Sequence, residues 1–449
     1  MKFFAGVLLF LSLTTQSQAA VWNSDKNWDA QWEKAYQQWL DKKTNRNIFA
    51  DKNLSDGRPN PYYSLRRDCA DVVYTLRAIF AFENKLPYAI NDPTGGDNLI
   101  TNNMSRWDWK FYSEARKFKE FLIFLGEVAS TRSMPDDTYP VSLNSNSVRP
   151  GTILLTTKLN HHSWTIVSLS ASGEPRLLFN SIEASKQNYF LKERYTWPNP
   201  EWVYEGDRVL QENAGFRFWR PKDFLKKPVW TVPGYSSEQY NVSVKQIFET
   251  LKSRIATMQE APNDQLRRLL ADACEGLRER VEVVQVGAQA FNKLLVSGRP
   301  APVCMNQEQY DSYSTPSRDQ RLFYELIVLR NSYQKIHNEG RVQELKPDTY
   351  AIVSKIFPSI ESTVADESTF MPLSVLDQNS YCSTTYYKNN KIDMAEAKRR
   401  LFLGWMSNNP NDDVASRWGE VEPSANARSN QCPNWGVWKP DLSLIPNSP

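Results

Sequence analysis

Glycine is scarce in this chain, with 17 in 449 residues, and no glycine-rich phosphate loop occurs, which removes the nucleotide-binding loop classes. Histidine is scarcer still: His161, His162 and His337 are all there is. None stands in His-x-His or His-x-x-x-His spacing, so a zinc hydrolase is not indicated and no metal or cofactor is expected. An excess of one charge is lacking too. Lys plus Arg number 54 and Asp plus Glu 51, a formal net charge of +3, and no block of like charge stands out. Nucleic acid is therefore not an expected partner. After the first twenty residues no apolar run is long enough to cross a bilayer, so no integral membrane segment is expected.

What is present begins with an export signal. Lys2 precedes the short apolar run Phe3 to Leu13, and Ser17-Gln18-Ala19 has the small-x-small form of a cleavage site. Residues 1–20 thus read as a signal peptide, and the mature chain is expected to be periplasmic or secreted. Five cysteines follow: Cys69, Cys274, Cys304, Cys382 and Cys432. In an oxidising compartment an odd number leaves one thiol over. Local loop closure suggests Cys274–Cys304 and Cys382–Cys432, leaving Cys69 free. The charges around it, Arg66, Arg67, Asp68 and Asp71, suggest partial exposure.

Trp28, Trp32, Tyr36 and Trp39 recur at helical spacing within 25–43 and form an aromatic stripe, expected to pack on the following domain. Cys69 to Asn84 has strong helical periodicity with Asp68 placed as its N-cap. A further helix is expected over 110–129. From residue 138 onward the pattern turns to short strands: Thr152 to Thr156, His162 to Leu169, Arg176 to Asn180, and the stretch around Phe216 to Trp219. Helices followed by an antiparallel sheet make an α+β fold. Residues 231–245, with Val232-Pro233-Gly234, read as a linker between a domain over 21–230 and a mainly helical accessory domain over 246–449.

A cysteine at a helix start followed by a histidine on a strand supplies the two halves of a cysteine-hydrolase site. The helix N-terminus, and an imidazolium beside it, would lower the thiol pKa. His162 is the favoured base. In an alternating strand His162, Trp164 and Ile166 share one face while His161, Ser163, Thr165 and Val167 share the other, so a one-residue change of register would substitute His161. Asn180 on the next strand is the expected orienter of the imidazole, with Ser181 and Glu183 as weaker candidates. His337 reads as a surface residue of the helical part.

Asp68-Cys69-Ala70-Asp71, then Pro150-Gly151-Thr152-Ile153-Leu154 ahead of His162-Ser163-Trp164-Thr165-Ile166-Val167, resemble the papain-like superfamily over residues 60–225. The likeness is strongest to the compact NlpC/P60 cell-wall hydrolases; no Cys-Gly-Ser-Cys-Trp signature of papain proper is present. The resemblance implies a papain-like fold with Cys69, His162 and Asn180 as catalytic residues. It also implies hydrolysis of an amide in a peptidoglycan stem peptide or another peptide substrate. Two other readings stand beside it: a non-catalytic envelope scaffold or binding protein with the same fold, and a protease or deamidase acting on proteins. The sequence does not set the oligomeric state.

Overall fold

A computed structural model describes residues 20–54, 56–96, 98–157, 161–180, 189–204, 213–297, 301–358, 376–420, 431–433, 435–436 and 438–441. The signal segment 1–19 and the candidates Ser181 and Glu183 lie outside the described residues.

The first helix, α1 (Ala30–Lys43), is capped by Asp29, whose carboxylate accepts the Trp32 N–H at 2.8 Å. Its aromatic stripe meets α2 (Cys69–Glu83): Trp28, Trp32, Tyr36 and Trp39 all ring Phe80, with centroids 5.2–6.4 Å away. The stripe is thus a packing surface. Helix α2 is buried along nearly its whole length, as a helix that is apolar on every side must be. A short hairpin, β1 (Ala89–Asn91) with β2 (Leu99–Thr101), precedes α3 (Glu114–Val128), which lays Phe118, Phe121, Leu122 and Leu125 into the same core.

After the one-turn helix α4 (Met134–Asp137) come β3 (Thr138–Pro140), β4 (Ile153–Thr156), β5 (His162–Leu169), β6 (Pro175–Phe179), β7 (Lys192–Arg194) and β8 (Gly215–Trp219). They form one antiparallel sheet in the order β3-β8-β4-β5-β6-β7. The sheet has two covered faces. Ile153, Leu155, Val167 and Leu178 pack into the core that holds α2. Leu154, Trp164, Ile166, Leu177, Phe179 and Phe216 form a second core, closed by Ile247, Phe248 and Leu251 of α5 (Ile247–Ile255). The expected α+β character is therefore present.

The segment expected to be a linker is part of this layer. Gln239 is fully buried, and its side-chain amide bonds the Phe216 N–H at 2.8 Å, the Phe216 carbonyl at 3.0 Å and the Val141 carbonyl at 3.1 Å. It stands in for strand backbone on the sheet. By packing, 231–255 belong with the sheet, and the apolar cores change hands only at α6.

The helical half comprises α6 (Pro262–Leu295), α7 (Gln307–Tyr313), α8 (Pro316–Asn338), α9 (Pro347–Ile356), α10 (Met394–Phe402) and the one-turn α11 (Val414–Arg417). It also holds the hairpin of β9 (Thr384–Tyr387) with β10 (Asn390–Ile392). One apolar core joins them. The disulfides differ from the expected pairing: they are Cys274–Cys382 and Cys304–Cys432, separated by 108 and 128 residues. Sequence proximity misleads because packing chooses the partner. Each bond staples an early helical segment to a late one. Such bonds belong to an oxidising compartment, in keeping with export. Among the described residues no helix is long and apolar enough to cross a membrane.

The halves meet along β7. Arg194 lies 3.0 Å from Glu279 on α6 and 3.1 Å from Glu325 on α8, and Arg46 lies 2.6 Å from Glu275. The Tyr195 N–H donates to Asp272 at 2.6 Å. The seam is thus ionic, and it covers what would otherwise be an open sheet edge.

Candidate active site

Cys69 is the first residue of α2. Asp68 caps the helix reciprocally: its carboxylate accepts the Asp71 N–H at 3.0 Å, and the Asp71 carboxylate accepts the Asp68 N–H at 3.1 Å. Cys69 is the one free cysteine, because the other four are paired. Its neighbours do not expose it, however. Cys69 is 6% exposed, and Arg67 and Asp71 are buried as well. Arg67 and Asp71 approach only to 3.9 Å, and Arg67 Nε and Nη2 and Asp71 Oδ1 have no hydrogen-bond partner. Of the flanking charges that suggested solvent at Cys69, Arg67 and Asp71 are turned inward against Gly126 of α3, Asp68 is partly buried as the cap, and only Arg66 is exposed.

The expected depression of the thiol pKa is reversed. Burial pushes the Cys69 thiol up to about 12, and the carboxylates of Asp68 and Asp71 add to the rise. The backbone N–H groups of Ser163 and Ala70 pull the other way without overcoming them. The resting sulfur is a neutral thiol. The helix terminus is outweighed because its own cap brings two carboxylates to the sulfur.

Strand β5 crosses the start of α2, and Ser163 Oγ donates to the Cys69 carbonyl at 2.9 Å. That bond fixes the register. Ser163 and Val167 face α2; Trp164 and Ile166 face α5. His162 goes with the second set. Its ring lies 4.3 Å from that of Trp164 and 5.5 Å from that of Phe179. Burial, with the cations Arg321 and Lys192 nearby, pushes its pKa down to about 3 against the opposing pull of Glu279. The structure therefore does not bring Cys69 and His162 together: they lie on opposite faces of β5, and His162 looks towards the ionic seam.

His161 stands just before β5 and is not part of its ladder; strand alternation continued to it would put it on the face of Ser163. His161 is exposed, at the mouth of the strand, and partial burial and Arg132 lower its pKa. Asn180 follows β6 directly. Thr165 pairs with Leu178, so the register continued to the strand end sets Asn180 opposite Ser163, on the α2 face. Asn180 is buried, and its amide reaches the Phe190 carbonyl at 3.5 Å. Cys69, Ser163 and Asn180 thus share one side of the sheet, and His161, the residue before β5, is exposed at its start. Reading the sequence missed which strand face turns to the helix. A signal was there: Ser163 and Thr165 are small enough to lie under a buried helix, whereas Trp164 is not. Among the described residues no group of three His, Cys, Asp or Glu side chains could hold a metal ion.

Compared with known proteins, the chain matches no family model, no curated protein and no solved structure.

Proposed function

We propose that this chain is an exported cysteine hydrolase that cleaves an amide bond, with peptidoglycan stem peptides as its substrate class, Cys69 as nucleophile and His161 as base. The observation that carries this reading is the hydrogen bond from Ser163 to the Cys69 carbonyl. It lays the start of a capped helix across the face of β5 that Ser163 shares with Asn180, and His161 immediately precedes that strand.

Because the resting thiol is neutral, its proton leaves as the sulfur attacks. His161 takes that proton while the Cys69 sulfur bonds to the substrate carbonyl carbon. The tetrahedral oxyanion is received by the Cys69 N–H, which at the first position of α2 has no intrahelical acceptor. The imidazolium then protonates the departing amine, the C–N bond breaks and a thioester remains. Water attacks the thioester, gives its proton to His161, and the sulfur leaves with that proton as the free thiol. Asn180 is the positioning residue for the imidazole.

A second reading, a non-catalytic envelope binding or scaffold protein, is favoured by the burial of Cys69 and its raised pKa. The test separates the two. Purified peptidoglycan is incubated with the mature protein and with Cys69→Ala, His161→Ala and His162→Ala, and soluble muropeptides are measured by mass spectrometry. Release by the parent and by His162→Ala is expected, while Cys69→Ala falls to background and His161→Ala loses about 10²–10⁴-fold, the usual worth of a general base. A folded His162→Ala that is dead beside an active His161→Ala overturns the assignment of the base. No release from any protein, on peptidoglycan or on a protein substrate, leaves the scaffold reading.

A further inference from the structure

The loop that leads into α3 turns two aromatic rings out to solvent. Trp109 is 73% exposed and Phe111 95% exposed, and neither joins an apolar core. Phe111 ends the single 3-10 turn Asp108–Lys110 in the left-handed region, at φ 51°, where a bulky side chain is disfavoured and glycine sits freely. The fold thus carries backbone strain under a ring that adds nothing to its cores, and strain of this kind gathers where a segment has a task beyond packing. The Trp109 indole N–H donates within the loop, to the Arg106 carbonyl at 3.1 Å. What both rings offer outwards is therefore carbon alone.

Around these rings the charge left free is of one sign. Asp108 is held by Lys117, Glu114 by Lys85, and Glu120 by Arg116 at 2.6 Å. Arg106 and Lys110 have no carboxylate partner among the described residues. Arg106 is exposed, with its guanidinium 4.5 Å from the Phe124 ring, and Lys110 Nζ stands 5.3 Å from the ring of Trp109 and 5.4 Å from that of Tyr112. Projecting rings flanked by free cations match an anionic lipid surface, where aromatic rings settle at the headgroup boundary and basic side chains meet phosphate. A saccharide fits less well, because it needs hydrogen-bonding groups beside the ring, and here the indole N–H is spent and the carboxylates are paired. We propose that the 106–112 loop is a membrane-surface anchor: Trp109 and Phe111 enter the headgroup boundary of an anionic phospholipid bilayer, and Arg106 and Lys110 lie against its phosphates. The anchor stands independently of the hydrolase reading.

The test is flotation of the mature chain with vesicles of equal parts phosphatidylcholine and phosphatidylglycerol, beside vesicles of phosphatidylcholine alone. Binding to the anionic vesicles that weakens with added salt is expected. Trp109→Ser and Phe111→Ser should each bind about 10-fold more weakly, the least that burying such a ring is worth, with Tm unchanged because both rings are exposed. Lys110→Gln should bind about 5-fold more weakly. No binding to the anionic vesicles, equal binding to the neutral ones, or full binding by Trp109→Ser and Phe111→Ser alike would each overturn the anchor. Co-sedimentation with purified peptidoglycan that is lost in Phe111→Ser, while vesicles stay unbound, would overturn it in favour of a glycan contact.

Discussion

The two halves of this molecule are held by different forces. The half that carries Cys69 contains no disulfide, and it is organised by a buried apolar helix between aromatic neighbours. The helical half carries both disulfides and buried ion pairs such as Arg280–Asp319. Between them the seam is made of charge. Hydrophobic packing is non-directional and tolerates exchange of similar shapes, whereas ionic contacts lose much when one partner is removed. The division suggests a site-bearing half that folds on its own core and a helical half that depends on covalent ties and docks by electrostatics.

Reduction breaks this comparison hardest. On the chain-entropy view a bond closing a loop of a hundred residues contributes about 4.7 kcal/mol, so losing both should remove about 9 kcal/mol from the helical half. After reduction with dithiothreitol, hydrogen exchange read by mass spectrometry should show α6, α8 and α10 deprotected while α2 and β5 stay protected. Deprotection of both halves together would mean that the site-bearing half cannot stand alone.

The next largest effect lies at the seam. Arg194→Met leaves Glu279 to Lys192, 3.9 Å away, and Arg321, 3.3 Å away. Removing one member of a buried pair costs about 3–5 kcal/mol, and here the remaining cations place the cost at about 3. Urea unfolding of the variant should separate into two transitions, one for each half. A single transition at the parental midpoint would show that the seam carries little.

How much of this was legible in the sequence follows the same division. Helix α2, its Asp68 cap and strand β5 stand out because apolar periodicity and capping chemistry are local signals. The alternation of β5 was legible as well; the face presented to α2 was not, because it depends on which side of the sheet the helix packs. This is why His162 was expected beside Cys69, although its ring packs on Trp164 and Phe179. Strand β7 reads Lys192-Glu193-Arg194 and carries no apolar signal at all. It is a strand because its charges meet α6 and α8, which is information held elsewhere in the chain. The same is true of the disulfides, whose partners lie more than a hundred residues apart.

The smallest expected effect sets the two regions against each other in their response to pH. In the site-bearing half Asp137 is buried, and burial raises its carboxyl to about 6 even though the Asn91 N–H and the Tyr74 hydroxyl both donate to it at 2.7 Å. Its folded pKa lies above its unfolded value near 3.9, so its contribution is fully present below pH 4 and is lost as pH rises through 6, a difference of about 3 kcal/mol at most. At the seam Glu279 behaves oppositely. Burial pushes its pKa up, but Lys192, Arg194 and Arg321 outweigh burial and hold it at about 2. Its contribution is present above its unfolded value near 4.3 and is lost as pH falls towards 2. Glu325, whose carboxyl burial raises to about 8, is protonated in the folded and the unfolded chain alike below about pH 4 and so leaves that acid loss to Glu279; above it, Glu325 adds its own loss as pH rises. Site-resolved hydrogen exchange, corrected for the intrinsic pH dependence of amide exchange, should therefore show β3 losing protection between pH 4 and 6. The α6–β7 contact should in addition lose it below about pH 4.5, as Glu279 takes up its proton, where β3 keeps it. Asp137→Asn should flatten the first change and leave the second untouched; a variant that keeps the full decline between pH 4 and 6 would remove Asp137 from the account and with it the contrast between the two regions.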